Sequence, residues 1–520
     1  MQSAATRTHD RFRTSDVICV AVLVGYFLHF ALPARHGGFR EDEMMNTWTY
    51  WYLGAFQSIL GLAKFWTPYY RPGGVLYYLP LYHFFGLNPL PYRIVQICIL
   101  AVSIPIAYCL ARLLASSRSV AFVAVLAFCY HPYVASLVFV GAFIYDVLCG
   151  FFYLIALTYY IHIRQKAGYL RPSQLLLFLV LFICALNSKE MAVTLPVIVL
   201  IYELLKSPHW ANWNAFLSWT RRCAGPSLIA GALTAIYVYS KIHGTSSATG
   251  DAYRPRYSWH NFITSNARFV GELLYAPEAI TPIVLLLLWA AVFIYAFWRR
   301  DGMVWLMAFW VVIVPLPIAF LLPIRSGACL YLLLFGWAMI FARVACDLVG
   351  FVSNAFVLPG QRSEKRQTTP DESVSVSSTN PAWRAPGWIT KVAMVSLLAV
   401  SLAIFTHWEN QRLRTVPNLL SVGQKVSHVL AAFDSLNLQP AHDSTVLLKP
   451  DEQLFQNKWQ PLFVASLVWN DHSLQIWIDN LSKIAPEQLT KVDYVISLTE
   501  LKATLIRSPD NQRTNSGSDW

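Results

Sequence analysis

The stretch "VICVAVLVGYFLHFALPARHGGFREDEMMN", residues 17–46, joins a long apolar run to three adjacent carboxylates. Residues 17–33 contain no Asp, Glu, Lys or Arg, and such a run is typical of a helix that spans a bilayer. Because further apolar runs follow, we interpret it as an uncleaved first helix rather than a secretory signal. Glu41, Asp42 and Glu43 then place a cluster of acids at the edge of a membrane, which penalises charge.

The composition of the whole chain indicates a polytopic membrane protein. Of its 520 residues, 56% are hydrophobic and only 13% are charged. The nine cysteines lie in or beside apolar runs, which indicates buried side chains rather than a disulfide scaffold. The net charge of +12 is scattered over short loops, so we expect no nucleic-acid partner.

Eleven apolar runs are candidates for membrane spans, and they predict an all-α polytopic fold with about 11 transmembrane helices. The runs lie at about 17–33, 93–111, 119–138, 142–162, 173–187, 191–206, 224–240, 280–298, 303–322, 328–350 and 390–407. Those at 173–187 and 224–240 are short for a span, so either could be a re-entrant segment.

Loop charges orient these helices. With the N-terminus inside, the inner loops hold most of the basic residues and the short outer loops hold almost none, as the positive-inside rule requires. The inner basic residues are Arg7, Arg11, Arg13, Arg112, Arg118, Arg164, Lys166, Arg171, Lys206, Arg221, Arg222, Arg299 and Arg300. Residues 34–92, about 241–279 and the tail from 408 onward are therefore predicted to face the non-cytoplasmic side.

The chain divides into four parts. Residues 1–350 form the predicted transmembrane domain, with residues 34–92 as a long outer loop. Residues 351–388 are rich in Ser, Thr and Pro and predict a flexible cytoplasmic linker. Residues 389–407 form the last transmembrane helix, and the β-rich runs within 408–520 predict a small non-cytoplasmic α/β domain.

The outer loop contains an aromatic segment. Residues 46–70 include Trp48, Trp51, Trp66 and several tyrosines at mixed spacing. Such residues favour the headgroup level of a bilayer, so we expect an interfacial helix that anchors the loop to the outer leaflet.

Several ionisable residues lie near the predicted outer ends of the helices, and such residues are functional candidates by default. They are Arg71, His83, Arg93, His131, Asp146, Lys189, Glu190 and Arg325. A carboxylate can deprotonate a hydroxyl group, and a neighbouring Arg or Lys can hold a phosphate leaving group.

Four ordered blocks resemble a known family. They are "FREDEMMN" at 39–46, "RPGGVLYYLPLYHFFGLNPLPYRIVQ" at 71–96, "YHPYVASLVFVGAFIYDVLCGFFYLIALTYY" at 130–160 and "ALNSKEMAVTLPVIVLIYELL" at 185–205. In order and spacing they resemble the membrane glycosyltransferases of the GT-C fold. The resemblance is in particular to the dolichyl-phosphate-mannose O-mannosyltransferases of the transmembrane-and-TPR type and their bacterial relatives. The chain departs from that family at Arg93, where relatives often have His, and it has no recognisable TPR array.

The resemblance implies an inverting, mannosyltransferase-like enzyme. It would transfer a sugar from a polyprenyl-phosphate donor to an acceptor hydroxyl on the non-cytoplasmic face. Asp42 would be the general base with Glu43 second, and Glu41 a helix-start charge. Lys189 and an arginine would stabilise the departing lipid phosphate.

The remaining candidates would bind the donor phosphate or the acceptor, and each has a structural alternative. They are Asp146, Lys189, Glu190, Arg71, Arg325 and His131. Asp146 could instead pack within the bundle, Lys189 and Glu190 could be a surface pair, the arginines could pair with lipid headgroups, and His131 could be a packed, hydrogen-bonded histidine. Asp146 could also bind a divalent metal, although the chain has no zinc-type ligand spacing.

The expected partners are the lipid bilayer, a polyprenyl-phosphate-linked sugar, and an acceptor that is a protein, lipid or glycan. We expect a multi-pass protein of the bacterial inner membrane rather than of the endoplasmic reticulum. The alternative function is a transporter or lipid flippase whose charges line a translocation route. That alternative requires broken helices, charges near mid-membrane and inverted repeats.

Overall fold

The computed structural model describes residues 13–66, 71–206, 212–243, 255–325, 327–356, 387–479, 481–482 and 492–508. Within these ranges the protein is mainly helical. The helices that precede the C-terminal domain are α1 (Thr14–Ala31), α2 (Glu41–Ala63), α3 (Val75–Phe85), α4 (Pro89–Ala115), α5 (Arg118–Cys129), α6 (Ser136–Phe139), α7 (Ile144–Ala167), α8 (Pro172–Ser188), α9 (Leu195–Lys206), α10 (Trp213–Trp219), α11 (Gly225–His243), α12 (Trp259–Leu273), α13 (Pro282–Arg299), α14 (Gly302–Ile313), α15 (Leu316–Ala319), α16 (Tyr331–Phe356) and α17 (Gly387–Arg412).

Eight stretches of the described chain are long and apolar enough to cross a membrane, and a bent pair would make nine. The eight are Thr14–His36, Pro89–Ala115, Gly141–Ala167, Trp213–His243, Pro282–Arg299, Gly302–Ala319, Gly327–Ser353 and Ile389–Arg412. The predicted class, an all-α polytopic membrane protein with a small C-terminal α/β domain, is confirmed.

All eleven predicted runs contain helix, and the lower count of full spans has local causes. The run at 119–138 bends by 50° between α5 and the following helical segment. Pro132 disfavours the helical conformation for His131, whose backbone is extended there. The runs at 173–187 and 191–206 become the 17-residue α8 and, after a 3₁₀ turn, the 12-residue α9. In contrast, the run at 224–240 is part of a 31-residue helical stretch.

The core of the bundle lies where α7 packs against α4 and α8, and where α16 packs against α5 and α14. Large aromatic side chains fill it, among them Tyr153 and Trp310, whose rings meet edge to face at 5.5 Å. Most of the predicted linker, 357–386, lies outside the described residues.

The predicted outer loop, residues 34–92, contains α2, which bends at Gly54. Gly54 has a φ of +75°, a left-handed conformation that glycine adopts without the strain of a Cβ. Tyr52 and Phe56 of α2 have exposed side chains, and the interfacial position of this helix stays a prediction. Trp51 is different, because it is buried under the C-terminal domain rather than free to reach lipid. Residues 67–70 of the predicted segment lie outside the described residues.

The C-terminal domain has a four-stranded sheet in the order β2-β1-β3-β4. Its elements are α18 (Thr415–Ser421), α19 (Gln424–Leu436), β1 (Thr445–Pro450), α20 (Gln460–Trp469), β2 (Gln475–Ile478), β3 (Tyr494–Leu498) and β4 (Ala503–Arg507). β1 runs parallel to β2 and β3, and β4 is antiparallel to β3. Buried and half-buried residues alternate along β3, as in a strand with one face on the core.

The C-terminal domain docks on the segment 34–92. The indole Nε1 of Trp51 donates to Oδ1 of Asn470 at 2.8 Å, and its ring stacks on His472 at 3.8 Å. The Tyr82 hydroxyl of α3 donates to the carbonyl of Leu467 at 2.6 Å. Trp51, Tyr82, His83 and Asp434 help to line a groove of about 520 Å³ between the two parts.

A buried ion pair fixes the start of α2 to α4. Arg93 and Glu43 both have 0% exposed side chains and form two hydrogen bonds, Nη1 to Oε1 at 2.7 Å and Nη2 to Oε2 at 2.9 Å. Arg93 also donates to the carbonyls of Gly37 and Gly38, at 3.3 and 2.6 Å. A Cβ on Gly141 would fall 2.0 Å from Oε1 of Glu43, so only glycine leaves room for this pair.

We predict that Arg93→Met lowers the free energy of unfolding by about 3–5 kcal/mol, because it leaves the buried Glu43 carboxylate without its counterion. The matched control is Arg268→Met, which removes a helix-surface pair with Glu272 from a side chain that is 52% exposed. Arg268→Met should lower the free energy of unfolding by at most about 1 kcal/mol. Equal losses in denaturation of the two detergent-solubilised variants would contradict the prediction.

Candidate active site

The three adjacent acids at the start of α2 have different environments. Glu43 is paired with Arg93, and its Oε2 also accepts from the Arg40 backbone N–H at 2.9 Å, which caps the helix. Glu41 is half-buried and its Oε2 accepts from the backbone N–H of Asn457 at 3.4 Å. Asp42 is exposed, and within the described chain no hydrogen bond or ion pair engages its carboxylate. Asp42 is therefore the member of the triplet that is available to a ligand.

The surroundings of Asp42 raise the pKa of its carboxyl. Although the Asp42 side chain is exposed, the surrounding chain shields its carboxyl in part from bulk water, and this shielding raises the pKa of that carboxyl. The negative charge of Glu43 acts in the same direction. The positive charges of Arg40 and Arg71 oppose this shift without cancelling it, so the pKa stays above the usual aspartate value. A carboxylate of raised pKa is a stronger general base at neutral pH than an ordinary one.

A second buried pair joins α7 to the junction after α8. Lys189 lies in extended backbone between α8 and the following 3₁₀ turn, and its Nζ donates to Oδ1 of Asp146. Their side chains are 6% and 4% exposed, and Nζ also lies 3.3 Å from Sγ of Cys329. Burial lowers the pKa of Lys189, but the Asp146 charge outweighs it and leaves that pKa above its usual value. The ammonium group is therefore a fixed positive charge.

A third pair lies closer to solvent. Arg71 donates from Nε and Nη2 to the two carboxylate oxygens of Glu190, at 3.3 and 3.2 Å. The guanidinium carbon lies 5.4 Å from the centroid of the Tyr145 ring, within cation–π range. The pair places a cation beside Lys189, since Glu190 is the next residue in the chain.

Two tyrosines connect these groups. The Tyr50 hydroxyl of α2 donates to the carbonyl of Arg71 at 2.7 Å and lies 3.0 Å from the hydroxyl of Tyr145, the neighbour of Asp146. Gly74 makes this approach possible, because a Cβ there would fall 2.4 Å from the Tyr50 hydroxyl. The charge of Arg71 acts on Asp42, Lys189 and Glu190. The structure therefore brings Arg71, Asp146, Lys189 and Glu190 into one charged cluster, and the charge of Arg71 extends to Asp42.

His131 has packing contacts of its own. Its Nε2 lies 3.1 Å from the carbonyl of Leu273, its Nδ1 accepts from the Tyr133 backbone N–H at 3.3 Å, and its ring stacks on Tyr275 at 4.3 Å. These contacts match the structural alternative for this residue. Arg325 is half-buried and precedes the turn that carries Cys329.

The described residues contain no group of three or more His, Cys, Asp or Glu side chains placed to hold a metal ion. Asp146, the candidate metal ligand from the sequence, is paired with Lys189 instead.

Two neighbours of the cluster were missed by sequence reasoning. Lys241 lies near the end of α11, its Nζ 5.4 Å from the Tyr237 ring centroid, and the charges of Glu190 and Arg71 act on it. Its position at the predicted outer end of an apolar run was a usable signal. Cys329 gave no signal, because a cysteine beside an apolar run is ordinarily a packing residue.

Comparisons with known proteins find a likeness in structure alone. No protein-family model matches the chain, and no curated protein matches it. The chain is similar to the Archaeoglobus fulgidus oligosaccharyltransferase in the apo form, with 12% identity over 94% of this chain and 70% of that chain and a TM-score of 0.47. It is similar to ArnT from Cupriavidus metallidurans in the apo state, with 13% identity, coverage of 96% and 94%, and a TM-score of 0.47.

ArnT bound to undecaprenyl phosphate is also similar, with 13% identity, the same coverage and a TM-score of 0.49. These proteins have the GT-C fold that the sequence motifs resemble. At such identities and TM-scores the likeness concerns the arrangement of helices and not the activity of this chain.

We predict that Lys189→Met destabilises the protein by about 3–5 kcal/mol, because it leaves Asp146 charged and buried without a partner. The double variant Asp146→Asn with Lys189→Met should recover most of that loss, since neither charge then remains. Thermal or denaturant unfolding of wild type, both single variants and the double variant measures the coupling. Additive losses would show that the two side chains do not interact.

Proposed function

We propose that this protein is an integral membrane glycosyltransferase that transfers a sugar from a polyprenyl-phosphate donor to an acceptor hydroxyl. The observation that supports it most is that Asp42, an exposed carboxylate of raised pKa, lies within the electrostatic reach of Arg71, which Glu190 holds in place and whose charge also acts on the buried Lys189. A general base beside a fixed positive charge suits the attack of a hydroxyl group and the departure of a phosphate.

In the proposed reaction, Asp42 takes the proton of the acceptor hydroxyl as its oxygen attacks the anomeric carbon. The bond between that carbon and the phosphate oxygen breaks, and the lipid phosphate leaves with the electron pair. Attack from the face opposite the leaving group inverts the anomeric carbon. The leaving group needs no proton, so the protein mainly positions the reactants and neutralises charge.

The proposed roles of the three cations differ because their side chains are buried to different depths. Arg71 and Lys241, which are less deeply buried than Lys189, contact the phosphate, while Lys189 supplies fixed positive charge behind them. Glu190 holds the Arg71 guanidinium in place through two hydrogen bonds. Both oxygens of Glu43 accept hydrogen bonds from Arg93 or the Arg40 N–H, so Glu43 is not available as a base. These bonds fix the first turn of α2, and Glu43 thereby acts as a positioning residue for Asp42.

The positive-inside rule supports a site on the non-cytoplasmic face. Arg93 and Asp146 lie near the starts of α4 and α7, and the same helices carry Arg112 and Arg164 near their ends. α4 has 27 residues, which is about 40 Å of helix, enough to separate its two ends by a bilayer. Arg112 pairs with Asp16 near the basic N-terminus. The basic ends then face the cytoplasm and the charged cluster faces away from it.

We predict that Asp42→Asn lowers sugar transfer by about 10²- to 10⁴-fold, the usual contribution of a general base, without loss of membrane insertion. The measurement is release or transfer of label from a panel of radiolabelled polyprenyl-phosphate sugars by purified protein. Glu452→Gln, a change at an exposed carboxylate of the C-terminal domain, is the control and should retain full transfer. Normal turnover by the Asp42 variant would overturn the assignment.

The raised pKa of Asp42 also predicts the direction of the pH dependence. The carboxylate must be unprotonated to accept a proton, so kcat/KM should fall as pH drops through the pKa of Asp42, at a higher pH than an ordinary aspartate would give. The residual activity of Asp42→Asn should lack this acid limb. An identical acid limb in wild type and variant would assign the titration to another group.

A further inference from the structure

The geometry points to the C-terminal domain as a positioning part of the active site. It holds the first turn of α2 through Gln460 and thereby fixes the direction of the Asp42 carboxylate. This inference rests on the proposed function, because it concerns how that general base is held. The polar contacts that carry it can be tested without any substrate.

Gln460 reaches the residue next to the proposed base. Its side chain is 0% exposed at the start of α20, and its Nε2 donates to the backbone carbonyl of Glu41 at 2.9 Å. The Asn457 N–H donates to the Glu41 carboxylate at 3.4 Å. Two groups of the C-terminal domain therefore bind the main chain and side chain of the residue that precedes Asp42.

A close backbone contact supports the same turn from a second direction. A Cβ on Gly423 would fall 2.7 Å from the Gly38 carbonyl oxygen, and a Cβ on Gly38 would fall 2.5 Å from Oγ of Ser427. The Gly38 carbonyl also accepts from Nη2 of Arg93 at 2.6 Å. The segment that leads into α2 is thus held between α4 on one side and the start of α19 on the other.

The docking contact of Trp51 completes the attachment. Trp51 lies ten residues beyond Glu41, or about 15 Å along the helix, and is bonded to Asn470 of the same domain. The first half of α2 is therefore tied to the C-terminal domain at both of its ends. Such an attachment restricts rocking of the helix and with it movement of Asp42.

The chemistry of Gln460 favours a positioning role over a stabilising one. Its Oε1 is buried and has no hydrogen-bond partner in the described residues. A buried amide with one unsatisfied oxygen costs free energy, so an apolar side chain of similar size would suit a purely structural position better. The amide contributes through its Nε2, which holds the Glu41 carbonyl at the start of α2.

The test compares Gln460→Leu with Gln439→Leu in the full chain. Gln439 is the matched control, because its Nε2 donates to the carbonyl of Trp469 at 3.1 Å, entirely within the C-terminal domain. Amide hydrogen exchange of the peptide at 39–46 should be about fivefold faster or more in Gln460→Leu and unchanged in Gln439→Leu. Gly423→Ala, which pushes on Gly38, is a second variant and should also raise exchange in this peptide.

The kinetic arm uses the panel of radiolabelled polyprenyl-phosphate sugars. Gln460→Leu should lower kcat by about 10- to 100-fold, as misplacement of a reacting group by roughly 1 Å does, with donor KM within about twofold of wild type. The pH at which the acid limb lies should also move, because the surroundings of Asp42 change. A purely structural defect would instead lower the active fraction, and with it the apparent kcat, and leave the acid limb where wild type has it.

The outcomes separate the two proposals. Unchanged exchange at 39–46 in both Gln460→Leu and Gly423→Ala would overturn the positioning role, and so would faster exchange with wild-type kcat. Full transfer by Asp42→Asn would overturn the proposed function, and the exchange experiment would still report whether the C-terminal domain holds the start of α2. Faster exchange together with a lower kcat and a shifted acid limb supports the inference, and a lower kcat with an unshifted acid limb would overturn it.

Discussion

The buried pair of Arg93 and Glu43 is the constraint on which the rest of the site depends. A carboxylate that is fully removed from water needs hydrogen-bond donors and a counterion. Both oxygens of Glu43 accept from Arg93, and one of them also accepts from the Arg40 N–H. The same guanidinium binds two carbonyls of the turn before α2. The direction in which α2 leaves the membrane domain follows from these bonds, and so does the exposure of Asp42 one residue away.

Three adjacent acids thus acquire three roles from their surroundings. Glu43 is neutralised by a buried cation, Glu41 is held by the C-terminal domain, and Asp42 is left exposed with a raised pKa. The cations show the same principle. Lys189 and Arg71 each have a carboxylate partner that fixes their position, so little reorganisation is needed when a negative charge arrives.

Much of the fold was predictable from the sequence, because long apolar runs report helices locally. Each of the eleven predicted runs contains helix, and the α/β composition of the tail was correctly predicted. The errors have local physical causes: Pro132 bends one run, and a 3₁₀ turn shortens another. The role of Trp51 could not be predicted, since an aromatic side chain suits a lipid interface and a domain interface equally.

The sequence by itself determined that the chain is a helical membrane protein and that its ionisable residues gather near one set of helix ends, because hydropathy and charge are properties of single segments. Only the tertiary structure decided the partners. Glu43 and Arg93 are 50 residues apart, and Arg71 and Glu190 are 119 apart. Contacts across such separations depend on how α2, α4, α7 and α8 pack together. That packing buries Glu43, places His131 against the carbonyl of Leu273, and leaves Asp42 as the exposed carboxylate of the triplet.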